Sequence, residues 1–209
     1  MVEDRQKLLS SAAQQMLVQR DPFTVELIEV TRSQIPLLDH DARMVDLLAA
    51  SMTENVGAAI RFLEHQAPDE AVEAPAAAIA YARALAQRDV PLSALIRAYR
   101  IGHARFVDAA MRHLATRESD QTPAAIIELV NRLARWIDRI TDQVGVAYEQ
   151  ERDRWVRAEA ACDSSGSANC WTARPWTFHT PSRRCSIGWT ACTSRRLSGP
   201  MPRCRRVTW

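Results

Sequence analysis

Apolar residues in positions 1–161 recur every three or four residues, the spacing that lines one face of an α-helix. From Glu3 to Gln19 the stripe is Leu8, Leu9, Ala12, Met16 and Leu17. Asp21-Pro22 reads as an N-cap followed by proline at the first helical position, opening a helix from Pro22 to about Ser33 with Phe23, Leu27 and Val30 on one face and Ile28 beside them. Pro36 ends that helix or kinks the chain after it. Asp39 or Asp41 can cap a third helix running to about Gln66, with the stripe Met44, Leu47, Leu48, Met52, Val56, Ala59, Ile60 and Leu63. Gly57 lies inside it and points to a close helix contact. Ala67-Pro68-Asp69-Glu70 breaks the pattern, and Pro75 restarts it through about Gln87.

Pro91 opens a long helix to about Thr116, with Leu92, Leu95, Ile96, Tyr99, Phe106, Ala110 and Leu114 on its apolar face. Thr122-Pro123 is another cap-plus-proline start, for a helix running to about Ala161. There Ile126, Val130, Leu133, Ile137, Ile140, Val144 and Ala147 alternate spacings of four and three, a heptad seam. The seam turns polar at Glu151, and charge takes over at Glu149, Arg152, Asp153 and Arg154. Such a helix suits a connector leaving a bundle, with Val130, Leu133, Ile137, Ile140 and Val144 as an interaction seam for a homodimer or another helical protein; the alternative is a core helix with a frayed end. No strand pattern occurs in residues 1–161, so the expected fold is all-α: a helical bundle with a long C-terminal connector helix and an unstructured tail.

Charge divides the chain. Residues 1–161 hold 19 Lys and Arg against 24 Asp and Glu, a net of −5; residues 162–209 hold eight Arg against Asp163, a net of +7. All five cysteines (Cys162, Cys170, Cys185, Cys192, Cys204) and four of the six tryptophans fall in the second segment, which has no helical period. Cysteine spacings of 8, 15, 7 and 12 lack the C-x-x-C pairs of a zinc site, and an odd count does not make a disulfide framework. The expected division is therefore a helical domain over 1–161 and a tail over 162–209 foreign to its fold. Such a tail is what a GC-rich gene yields out of frame. Re-read two bases on, with free third bases chosen, the codons from Cys162 can encode RQQWISELLD, which continues the helix.

Candidate chemistry is sparse. Tyr99 and His103 are four apart and share a helix face, with Arg97 and Arg100 flanking them. Together the four could hold a small anionic ligand; as structure alone, Tyr99 is a core residue and the arginines are solvated. His65, His103 and His113 are the candidate axial ligands for haem, but His103 and His113 face different directions and 6% aromatic residues is thin for a haem pocket, so no cofactor is expected. The clusters Asp39/Asp41, Asp69/Glu70/Glu73 and Glu149/Glu151/Asp153 read as capping groups and solvated surface, not as general acids or bases. Phosphate-binding and nucleophile-elbow motifs are missing, so no catalytic residue and no metal site is assigned. The acidic start at Glu3-Asp4 is unlike a secretory signal, and no run reaches the ~20 apolar residues of a membrane span, which gives a cytoplasmic expectation with no membrane partner. Net acidity argues against direct DNA binding by residues 1–161.

The segment Asp89-Val90-Pro91-Leu92-Ser93-Ala94-Leu95-Ile96-Arg97-Ala98-Tyr99-Arg100-Ile101-Gly102-His103 resembles the signature helix of the RsbRD-like N-terminal domain that heads many actinobacterial transcriptional regulators of the PucR/CdaR type. The similarity spans roughly residues 10–160 and is most specific over Pro91–Phe106. It implies a helical sensory or dimerisation module, related to the non-haem, globin-like input domains of stressosome proteins, with no catalytic residues. In such regulators DNA binding resides in a C-terminal helix-turn-helix, which this sequence does not reach. A stand-alone stressosome-type interaction domain and a haem or small-ligand sensor are the alternatives. The nucleotide sequence across codon 162 checks the tail: the out-of-frame reading expects a shifted frame that stays open downstream, and codons that forbid it would remove the idea.

Overall fold

The computed structural model describes residues 2–38, 41–65 and 72–165. The chain divides into two units, 1–173 and 174–209, and the second lies outside the described residues. The expected unstructured tail over 162–209 therefore falls almost wholly outside them. The described residues of the first unit form six helices: α1 (Val2–Val18), α2 (Arg20–Gln34), α3 (Ala42–Glu64), α4 (Ala76–Ala86), α5 (Leu92–Ala115) and α6 (Thr122–Ser165), with a 3-10 turn at Pro36–Leu38. No strand occurs among the described residues, and the fold is an all-α bundle. No helix among them is long and apolar enough to cross a membrane. Helix α6 runs past the expected boundary at residue 161.

Helix starts follow local chemistry unevenly. Asp41 caps α3, its side chain accepting from the Met44 amide at 2.9 Å, while Asp39 lies outside the described residues. Pro75 and Pro91 each stand just before a helix. The other two proline starts are displaced. Helix α2 begins at Arg20, so Asp21 pairs with Arg20 at 2.9 Å instead of capping, because the Phe23 amide already bonds the Gln19 carbonyl. Helix α6 begins at Thr122, whose hydroxyl donates back to the Arg117 carbonyl at 2.8 Å. Both prolines stay in the first turn, where a missing N–H breaks no bond.

The turn between α4 and α5 opens the family-like segment. Asp89 has φ of +55°, the Asp89 amide donates to the Ala86 carbonyl and the Val90 amide to the Leu85 carbonyl. That pair of bonds is a Schellman termination, with aspartate where glycine is usual. Val90 and Leu85 are both buried in the core.

The core follows the sequence stripes closely on α3: Met44, Leu48, Met52, Val56, Ala59, Ile60 and Leu63 are all buried. Leu47 is half-buried, and Ser51 and Phe62 join the face. On α2 the buried residues are Thr24, Leu27 and Thr31, while Val30 is only half-buried. Gly57 does not mediate a close helix contact: a Cβ there would meet only the Arg61 guanidinium, at 3.4 Å.

Helix α6 packs on α1, α3, α4 and α5. Its buried face is Ala125, Leu129, Leu133, Trp136, Ile140, Val144, Ala147 and Tyr148. This corrects the expected interaction seam. Leu133, Ile140 and Val144 are enclosed by the chain's own helices, and Val130 and Ile137 are half-buried at the edge of that face. A heptad pattern cannot say whether the partner helix is in the same chain; here the neighbouring helices fill that place.

Four polar residues fix α6 against the ends of its neighbours. Arg132 stacks over the Phe62 ring at 5.1 Å and donates to the Phe62 and His65 carbonyls at the C-terminus of α3. Gln143 donates to the Val72 carbonyl and accepts from the Ala74 amide, both at 2.8 Å, ahead of α4. Tyr148 donates to the Val90 carbonyl at 2.7 Å. Glu151 accepts from Gln87 at 2.8 Å. The side chain of Ile140, on the same helix, has no exposed surface. Ile140→Ala is expected to lower stability by about 2–5 kcal/mol, read by urea denaturation; a loss under about 1 kcal/mol would mean that α6 is not a core helix.

Candidate functional site

Helices α2 to α6 line a partly open cavity of about 70 Å³. Leu48, Met52 and Asn55 come from α3, Tyr81 from α4, Ala98, Tyr99, Gly102, His103 and Phe106 from α5, and Leu133, Trp136 and Ile137 from α6. Leu27 of α2 closes one side, 3.7 Å from where a Cβ on Gly102 would sit. The wall is mostly hydrocarbon, and none of the described lining residues is Asp, Glu, Lys or Arg.

Of the four expected ligand residues, the structure brings two to this cavity. Tyr99 and His103 line it, one helical turn apart. Arg97 and Arg100 are exposed on the outer side of α5 and do not line it. The expected anion site is thereby corrected: α5 turns its guanidinium groups to solvent and its tyrosine and histidine inward. Burial pushes the Tyr99 phenol up to about 12, with Asn55 and Ser51 hydrogen bonds pulling the other way. Burial raises the Tyr81 phenol too, helped by neighbouring Tyr99. Burial lowers His103, against an opposing pull from Asp138, which favours the neutral imidazole.

Asn55 and Tyr81 were not singled out in the sequence. The Asn55 amide donates to the Ser51 carbonyl at 2.8 Å and to the Tyr99 hydroxyl at 3.4 Å. Its carbonyl oxygen Oδ1 is buried and has no partner, and neither has the Tyr81 hydroxyl. An unpaired buried polar group costs about 1–3 kcal/mol, so two on the wall of one cavity stand out. Only the meeting of α3, α4 and α5 assembles them, and no local pattern marks it.

A haem does not fit. His65 sits at the C-cap of α3, exposed, and His113 hydrogen-bonds Ser11 at 3.0 Å, leaving only His103 on the cavity. The volume of about 70 Å³ is below the ~150 Å³ that admits even a benzene. Among the described residues no three His, Cys, Asp or Glu side chains gather as metal ligands.

A second polar cluster corrects the reading of Glu151 as solvated surface. Its side chain is buried, and beside the Gln87 bond it accepts from Trp155 at 3.1 Å and pairs with Arg154 at 2.9 Å. The Gln87 bond first, then Trp155 and the charges of Arg154 and Arg83, hold its carboxyl below the usual range against the opposing effect of burial.

Residues 21–161 match the family model of the RsbT co-antagonist protein rsbRD N-terminal domain. The chain belongs to this family. No curated protein and no solved structure matches it, so the globin-like expectation gains no structural neighbour. The matched stretch contains all of α2 but its first residue, α3 to α5, most of α6 and every residue that lines the cavity. In this rsbRD-type domain, a regulatory helical domain, the paired and unpaired tyrosines should behave oppositely. Tyr148→Phe removes a bonded hydroxyl and is expected to cost about 1 kcal/mol, whereas Tyr81→Phe is expected to be neutral or stabilising. Urea denaturation of both variants checks this, and a clear loss for Tyr81→Phe would show that its hydroxyl has a partner.

Proposed function

We propose that the chain is a non-enzymatic input module of a PucR/CdaR-type transcriptional regulator, in which changes in the bundle interior are passed along α6. Regulation follows from membership of the rsbRD N-terminal family. The observation that carries the signalling route is that one continuous helix serves both ends. Leu133, Trp136 and Ile137 of α6 form a wall of the cavity, and the same helix continues to Ser165. Beyond the Glu151 anchor its residues 152–158 are exposed except for half-buried Trp155. At about 1.5 Å per residue α6 is about 66 Å long, so a small tilt at the cavity becomes a larger displacement at its end.

The partner is a helical protein surface, a second copy of the chain included. Exposed Ile127, Val146 and Val156 on α6 support contact outside the core. The seam through Ile140 does not, because it is already covered. The reading as a module that binds is supported by the cavity wall, which is mostly hydrocarbon and offers no carboxylate or cation to stabilise a developing charge. A cytoplasmic location belongs to the same reading, since a transcriptional regulator acts there.

Filling the cavity should be felt at the far end of α6. Ala98→Leu places extra methyl groups against the α6 wall, and hydrogen exchange of amides 149–158 is expected to change in this variant. Changes confined to the cavity walls would overturn the signalling route.

A further inference from the structure

We propose that the cavity binds a small uncharged amphiphile: an apolar body carrying one hydroxyl or amide head. The head is specified by the two unpaired groups. Asn55 Nδ2 faces the Ser51 carbonyl at 2.8 Å, which fixes the amide orientation and leaves Oδ1 as an acceptor that needs a donor. The Tyr81 hydroxyl can donate or accept, and has no partner for either. A ligand hydroxyl answers both groups, donating to Asn55 and accepting from Tyr81; a primary amide does the same.

Charge is excluded by the surroundings. A carboxylate would enter a hydrocarbon wall with no Lys or Arg on it, and an ammonium would find no Asp or Glu. His103 does not supply the missing cation, since burial holds it neutral. Water alone answers the two polar groups but leaves the hydrocarbon wall uncovered, which an organic body would cover. At about 70 Å³ the space suits about three to six non-hydrogen atoms, scaling from the roughly 150 Å³ that admits benzene. The flexible Met52 side chain on the wall allows the upper end of that range. The proposal gives the input module a ligand class, and it rests on the regulatory reading only for its biological meaning.

The full chain should be titrated with 1-butanol, propionamide, butyrate and butylammonium, following the Met52 methyl resonance by NMR. Saturable shifts are expected with the two neutral probes and none with the two ions. Ala98→Leu should abolish saturation with the far-ultraviolet dichroism unchanged. Tyr81→Phe should weaken 1-butanol roughly tenfold, the worth of one hydrogen bond, and leave cyclopentane binding unaltered. Should Ala98→Leu fail to fold, Gly102→Ala replaces it, since its added methyl stands at an ordinary 3.7 Å from Leu27 and alanine favours the helix; it should weaken both 1-butanol and propionamide. No saturation with either neutral probe, equal binding of the ions, or unchanged binding in the cavity-filling variants overturns the proposal. Saturable binding with silent amides 149–158 would keep the site and remove the signalling route.

Discussion

Everything in the bundle is referred to α6. An apolar face alone could slide or rotate by a fraction of a turn with little loss, because dispersion and hydrophobic burial have no direction. Polar groups prevent this. Arg132 takes the loose carbonyls at the end of α3, Gln143 the segment before α4, Tyr148 the turn before α5 and Glu151 the end of α4. The first three satisfy backbone groups that a helix end or a turn would otherwise leave unpaired, and the fourth pairs the buried Glu151 carboxylate with the Gln87 side chain, so losing register on α6 would expose several deficits at once. The helix is thereby fixed lengthwise and in rotation relative to three other elements.

That rigidity gives the cavity its meaning. Close-packed interiors leave little empty space, and the space here lies between the helix that is best anchored and the one that carries the family-like segment. The turn at Asp89 and Val90 sets where α5 begins, and Tyr148 holds that same turn. The position of Tyr99 and His103 on the cavity wall is thus tied to α6 through the backbone as well as through packing. An element held at both ends moves as a unit, which is what a transmitted tilt requires.

Glu151 shows why charge is a poor guide to exposure. In sequence it stands among Glu149, Arg152, Asp153 and Arg154 and marks the point where the apolar seam ends. In the fold it is still one heptad-like step beyond Val144 and faces inward, and Gln87 and Trp155 supply the donors that make a buried carboxylate tolerable. Trp155 is four residues on, the neighbour one turn away, so half of that arrangement could have been read from spacing. Gln87 could not, because it belongs to another helix.

Helical period, proline placement and the absence of any strand pattern determined the six helices, their order and nearly every buried residue of α3, because these depend on neighbours three and four positions away. The Pro91–Phe106 segment led to the family by resemblance. What the sequence could not determine was which surface each stripe meets. The heptad seam of α6 has the same period whether it meets another chain or its own neighbours, and only the tertiary structure turned Leu133, Ile140 and Val144 inward within one chain. Tyr99 and His103 were visible as a pair on one face, yet the turning of Arg97 and Arg100 to solvent was decided by what packs against α5. Asn55 and Tyr81 lie on different helices and carry no shared local pattern, so their unpaired oxygens exist as a site only after the bundle has closed.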